Sequence, residues 1–267
     1  MKKLLSLSLA AALAVSATAC GNSGSGSSDG ADAEAPAAGT EGTEAEGTQT
    51  EGAEDAGTGS AAADGSVFKI GAIGPTTGAA SAYGTAVMNA AKIAVDEINA
   101  AGGINGYQVE FNPQDDEHDQ EKSVNAYNTL KDWGMQLLLG TVTSAPCIAV
   151  EAEASADNMF LLTPSGSAID CISGENAFRV CFADPDQGTA SAQYIGENGL
   201  AEKVAVIYDS SDVYSSGIYE TFVTEAANQP FEIVASEAFT ADSKTDFSVQ
   251  LQKAKDSGAD LVFLPFY

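Results

Sequence analysis

Three stretches of the chain gather hydroxyls and backbone N–H groups beside glycine or proline. They are Gly74-Pro-Thr-Thr-Gly-Ala-Ala-Ser-Ala-Tyr-Gly84, Gly140-Thr-Val-Thr-Ser144 and Thr163-Pro-Ser-Gly-Ser167. Each follows an apolar run, and the first two lead into helical patterns, the second through Ala145-Pro146 with Pro near the first helical position. A helix start carries unpaired N–H donors and about half a positive charge, which suits a carboxylate. Taken singly, Ser144 is also accounted for as an N-cap stabilising its helix by ~1 kcal/mol. Three such loops on one sheet edge favour a common cradle for an organic anion.

Other chemistry is poorly served. Gly71, Gly74 and Gly78 do not form G-x-G-x-x-G, and no G-x-x-x-x-G-K-[ST] or G-x-S-x-G occurs. The single histidine, His118, sits in Asp115-Asp-Glu-His-Asp119. That run reads as a solvated strand-to-helix loop with an N-cap, ahead of a metal site. No nucleophile is paired with a base, so no enzyme, metal or cofactor is expected. Among the cysteines, Cys147, Cys171 and Cys181 suit one disulfide and one free thiol in an exported protein. Cys171–Cys181 and Cys147–Cys181 are both open, as is the alternative that they stay reduced in an organism living without oxygen.

The elements that must position these loops alternate. Val67–Ile73 reads as a strand and Tyr83–Ala101 as a helix, with apolar positions at helical spacing and Gly102-Gly103 as its end. The same alternation follows: strand 107–112, helix 120–133, strand 136–140, helix 145–157, strand 159–163 and strand 177–181. It continues with helix 188–198, strand 203–208, a helix to about 228, strand 231–239, helix 244–257 and strand 259–263. Near-continuous apolar strands between amphipathic helices predict an α/β fold with parallel sheets covered on both faces. The rhythm breaks at 165–174, read as a polar loop, and at Ala183-Asp-Pro-Asp-Gln-Gly188. Two lobes are therefore expected, 66–184 and 185–267.

The chain has 267 residues and a net charge of −27, with 28 acids against 9 bases from Ser66 onward. Such an acidic body repels phosphate backbones and excludes nucleic acid as a partner. Met1-Lys-Lys, an apolar run to Val15 and small residues up to Cys20 have the layout of a secretory signal. The run is shorter than the ~20 residues a spanning helix needs. Small residues before Cys20 with Gly21 after it resemble a bacterial lipobox, implying a lipid-modified Cys20. Residues 21–65 hold ten acids, no base, no aromatic and no Ile, Leu, Val or Met. They are expected to be a disordered tether with a reach of roughly 35–40 Å.

Larger motifs carry a further resemblance. Ile70-Gly-Ala-Ile-Gly-Pro-Thr-Thr-Gly78, Ala82-Tyr-Gly84, Ala94-Val-Asp-Glu-Ile-Asn-Ala-Ala-Gly-Gly-Ile-Asn-Gly106, Thr163-Pro-Ser-Gly-Ser167 and Asp184-Pro-Asp-Gln-Gly188 resemble the branched-chain amino-acid-type substrate-binding proteins of ABC importers. The likeness runs from about Val67 to the last residue and implies the type I periplasmic-binding-protein fold. It implies that two lobes close over an amino acid, with Ser144 and Ser167 holding the carboxylate and Ser165 offering backbone groups. Tyr83 would pack on the ligand from the first lobe, Tyr214 and Tyr267 from the second, and Asp184 would lie near the ammonium. Two positions depart from the pattern: Gly166-Ser167 replaces a bulkier Ala-Thr, and His118 stands where some members have a Cys.

The resemblance also implies partners: a permease with its ATPase subunits, a membrane reached through the lipid, and action as a monomer outside the cytoplasm. The ligand is expected to be an aliphatic amino acid. The alternatives are an amide, urea or aromatic acid bound by a sensory or uptake protein, and more remotely an extracellular enzyme. The stop after a strand-like run at Tyr267 is read as an incomplete second lobe, with the main ammonium-pairing carboxylate further on. The 267-residue piece alone is then expected to bind weakly.

Overall fold

A computed structural model describes residues 66–267. The signal-like segment, Cys20 and the acidic tether lie outside the described residues. Among the described residues eight strands and six α-helices alternate almost throughout, and all strand pairing within the two sheets is parallel. The first sheet contains β1 (Val67–Gly74), β2 (Gln108–Asp115), β3 (Leu137–Gly140), β4 (Leu161–Thr163) and β5 (Ala177–Arg179), in the order β2-β1-β3-β4-β5. Between them run α1 (Ser81–Ala100), α2 (Gln120–Trp133) and α3 (Ser144–Ala156). The second sheet contains β6 (Lys203–Asp209), β7 (Glu232–Phe239) and β8 (Leu261–Phe263), ordered β7-β6-β8. It is accompanied by α4 (Asp184–Glu197), α5 (Val213–Ala226) and α6 (Ser248–Asp256).

Each sheet has its own apolar core. Ile73, Leu138 and Leu161 from β1, β3 and β4 meet Tyr127 and Leu130 of α2 and Val150 of α3. In the second, Val204 and Val206 of β6 meet Ala192 and Ile195 of α4 and Phe222 and Ala226 of α5. Burying these side chains is the main driving force for both layers, at roughly 25 cal/mol per Å² of apolar surface. No described helix is long and apolar enough to cross a membrane.

Local chemistry fixes the register. Asn99, at the end of α1, accepts from Val109 N (2.7 Å) and donates to Val109 O (2.9 Å), pinning β2 beside its own helix. Asp119 caps α2 by accepting from Lys122 N at 2.9 Å, and Gly134 ends that helix at φ 87°. The Asp115–Asp119 run is thus a structured loop. Asp115 accepts from Thr76 N (2.8 Å), Glu117 N (3.0 Å) and the Thr77 hydroxyl (2.6 Å), tying the first loop to the end of β2.

Three expectations are corrected. The helix anticipated from residue 188 begins at Asp184, because Pro185 in the first turn and Asp186, which accepts from Ala183 N at 3.4 Å, start a helix where a break had been read. α4 packs with the second core, so the passage between sheets is the short segment 180–183. The 165–174 stretch contains a 3-10 turn at Ile169–Ile172. The helix expected from Lys244 starts at Ser248, after a separate 3-10 turn at Ala241–Ser243.

Candidate functional site

Parallel pairing brings the carboxyl ends of the first sheet to one edge, with Gly74 opposite Asp115 and Ile73 opposite Gly140. The three hydroxyl-rich loops leave from that edge. β3 must end in glycine: Gly140 has φ 128°, and a Cβ there would lie 2.3 Å from Ile73 O. The last two loops are laced together. Thr163 Oγ1 donates to Thr141 O (2.7 Å) and accepts from Gly166 N (2.8 Å), while Ser165 Oγ donates to Val142 O at 2.6 Å.

Ser144 is buried at the first turn of α3, and its hydroxyl accepts from Ser167 N and Ala168 N, both at 3.2 Å. The N-cap of α3 is Thr143, so the cap reading of Ser144 is replaced: its hydroxyl bridges to the neighbouring loop. The result is a buried polar corner of main-chain donors at a helix start. Ser167 is nearly buried, and its carbonyl accepts from Arg179 Nη1 (3.0 Å) and Asp184 N (3.0 Å). The Ser165 hydroxyl is thereby spent on holding the two loops together.

Next to this corner lies Asp184, 2% exposed, with neither carboxylate oxygen in hydrogen-bond geometry. Burial raises its pKa to about 6, against the lowering influence of Ser167 and Arg179. Gly217 of α5 lies beside it, where a Cβ would meet the Asp184 side chain at an ordinary contact distance of 3.4 Å. A second buried acid, Asp212, caps α5 by accepting from Tyr214 N at 3.3 Å. Burial also lifts it to about 6, Tyr214 N opposes this, and Asp209 and Asp184 add to the rise.

Aromatic rings bridge the two sides. Tyr267 lies 5.4 Å from Tyr83, 4.5 Å from Tyr214 and 5.2 Å from His118, centroid to centroid. Burial followed by Asp212 pushes its pKa up, and the backbone N–H and hydroxyl of Ser144 oppose this. Gln187 Nε2 donates to the Tyr214 phenol at 3.4 Å. Tyr83 remains half exposed. Two groups of the expected residues thus come together: Ser144, Ser167 and Asp184 through hydrogen bonds, and Tyr83, Tyr214 and Tyr267 through their rings.

Beside this cluster opens a cavity of about 340 Å³ bordered by His118, Asp209, Asp212, Lys244, Phe247 and Tyr267, among others. Ser144 and Ser167 do not line it, and Tyr267 is the side chain common to cavity and corner. His118, at φ 63°, places Nδ1 2.8 Å from Thr143 Oγ1. Burial, then Lys244, lowers its pKa, while Asp209 and Asp119 oppose this. Sequence reasoning missed Asp212 and Lys244 as cleft residues. An Asp two residues before Tyr214 at a helix start was the available signal for the first.

All three described cysteines are free. Neither anticipated pairing with Cys181 is formed. Instead Cys147 and Cys171 are the neighbouring pair, with Cys147 Sγ beside Cys171 O, because Cys147 lies one turn into α3 and Cys171 lies in the 3-10 turn packed on it.

The family described as "Periplasmic binding protein" matches residues 67–266. A "Leu/Ile/Val-binding protein homolog 3" of Brucella melitensis is 32% identical over 200 residues, which are 74% of this chain and 54% of that protein. Among solved structures, the branched-chain amino acid transporter substrate-binding protein LivJ from Streptococcus pneumoniae, in complex with isoleucine, superposes with a TM-score of 0.70. It is 33% identical and is matched over 76% of this chain and 57% of its own. A leucine-binding protein LivK from Thermotoga maritima gives a TM-score of 0.68 at 28% identity, over 74% and 56%. The chain spans about half the length of the curated relatives it matches.

Proposed function

The chain belongs to the periplasmic binding protein family, in its branched-chain amino-acid type, and on that premise we propose that it is an extracytoplasmic receptor for a small zwitterion. The ligand is an aliphatic amino acid. It is captured between the two sheets and passed to an ABC permease driven by its ATPase subunits. The receptor acts as a monomer tethered to the membrane through lipid on Cys20, and it binds its solute without chemical turnover.

The observation that carries the reading is that two buried polar features adjoin. One is the corner where Ser167 N and Ala168 N meet the Ser144 hydroxyl; the other is the carboxylate of Asp184, whose own N–H donates to Ser167 O. A carboxylate on the first and an ammonium on the second would satisfy both, with tyrosine rings supplying apolar cover. Charge-assisted hydrogen bonds in a site shielded from water are among the stronger ones available.

Calorimetry of the full-length protein against the twenty amino acids, with benzoate and urea as comparison solutes, tests the proposal. Saturable heat with an aliphatic amino acid is expected, and Ser144→Ala should weaken it by roughly 10- to 100-fold. No saturable heat with any amino acid would refute the reading. An aromatic acid is the second candidate, because Phe239, Phe247 and Phe266 border the adjoining cavity.

A further inference from the structure

Cys147 and Cys171 belong to different elements and meet in the first core, where both are fully buried. Cys147 Sγ lies 3.9 Å from Cys171 O, and Cys171 Sγ lies 3.6 Å from Ser144 O. Each thiol is the first influence on the acidity of the other: Cys171 lowers the pKa of Cys147, and Cys147 raises that of Cys171. Cys181, half-buried, senses Cys147 only through space. Cys147 sits on the turn of α3 that begins with Ser144. Cys171 sits three residues beyond Ala168, whose N–H points at the Ser144 hydroxyl.

We propose that Cys147 and Cys171 close to a disulfide that clamps the first turn of α3 to the loop supplying the Ser167 and Ala168 donors. The positions are 24 residues apart in sequence. A bond between them closes a sizeable loop and removes freedom from the unfolded chain. It also fixes directly the polar corner that two 3.2 Å hydrogen bonds otherwise hold between these elements. Two sulfurs do not make a metal site, and among the described residues no group of three or more His, Cys, Asp or Glu is arranged for one.

The bond forms by exchange with an oxidised partner of the disulfide class, such as oxidised glutathione or a disulfide oxidoreductase. The Cys147 thiolate attacks one sulfur of that partner and expels the other as a thiolate, giving a mixed disulfide. The Cys171 thiolate then attacks the Cys147 sulfur and expels the second partner thiolate. Two protein thiols lose two protons and two electrons, and the partner's S–S bond becomes two thiols. Because both sulfurs are sealed from solvent in the folded state, this exchange belongs to folding or to transient opening of the 3-10 turn.

The test is to refold the chain from denaturant in a glutathione redox buffer, alkylate it in denaturant, and cleave after glutamate. Cleavage at Glu151 or Glu153 separates Cys147 from Cys171, and cleavage at Glu175 separates Cys171 from Cys181. The expected product is a linked pair of peptides carrying Cys147 and Cys171, released by dithiothreitol, with Cys181 alkylated. The oxidised protein should also melt several degrees above the reduced protein, and Cys181→Ser should keep that difference. Alkylation of both Cys147 and Cys171 after oxidative refolding, or linkage of either to Cys181, would overturn the proposal.

Discussion

Asp116 and Asp184 are carboxylates taken out of water in different company. Asp116 has one oxygen accepting from His118 N at 2.9 Å and the other without a partner, and burial lifts its pKa to about 6. Asp184 has the same pKa of about 6 and no partner on either oxygen. An acid with a raised folded pKa binds more protons folded than unfolded between its ordinary value near 3.8 and 6. Its contribution to stability therefore declines as pH rises through that window. Asp116→Asn is expected to gain on the order of 2 kcal/mol over the parent above pH 6, with the gain vanishing below pH 4, in urea melts across that range. For Asp184 the readout is binding. Affinity for a zwitterion should fall as pH drops below 6 and the carboxyl takes up its proton. Asp184→Asn should bind weakly with little pH dependence, and calorimetry at pH 5 and pH 7.5 distinguishes the two. Ser144 and Ser167 were legible as candidates because loops between strand and helix announce themselves. That Ser165 would turn its hydroxyl to Val142 O, and that Cys147 would meet Cys171, depends on rotamers and packing that spacing does not encode.

Elements place these groups through a few close approaches. α4 and α5 cross where Gly188 leaves no room: a Cβ there would lie 2.0 Å from Thr221 Oγ1 and 2.4 Å from Ile218 O. Ile218 and Phe222 are buried beneath that crossing, so the helices must move apart to admit a methyl group. Gly188→Ala is expected to lower stability by about 2–4 kcal/mol, measured as a shift in urea midpoint at unchanged slope. Alternation of strand and helix was legible throughout, since apolar runs and helical spacing are strong signals. Element ends were less so. Asp184-Pro-Asp186 combines turn residues with a good helix start, and only packing of Ala192 and Ile195 into the second core decides for helix. The 3-10 turn at Ile169–Ile172 is too short to leave a periodicity, although it carries Cys171 into the first core.

The molecule as a whole works against its own charge, with 28 acids and 9 bases after residue 65. The described ion pairs, such as Lys92–Asp96 and Lys122–Glu117, are largely exposed and weak offsets to that excess. Screening of the net repulsion should therefore raise the melting temperature by a few degrees between ~10 mM and ~300 mM salt, where the Debye length shrinks from about 30 Å to below 8 Å. Thermal melts across that series at pH 7.5 check it, and a flat or falling trend would contradict it.

Both sheets are also threaded on one plan. The strand that enters first is enclosed by the two that follow, as β2-β1-β3 in one half and β7-β6-β8 in the other. Each half thus reverses its strand order beside its founding strand, the place where open parallel sheets take ligands. On the function proposed above, a guest lodged at both would be gripped twice by hosts of kindred design, each acting at the high local concentration the other provides. Letting go with either half would then suffice to discharge it, which would make tight retention and quick hand-over compatible in a single body.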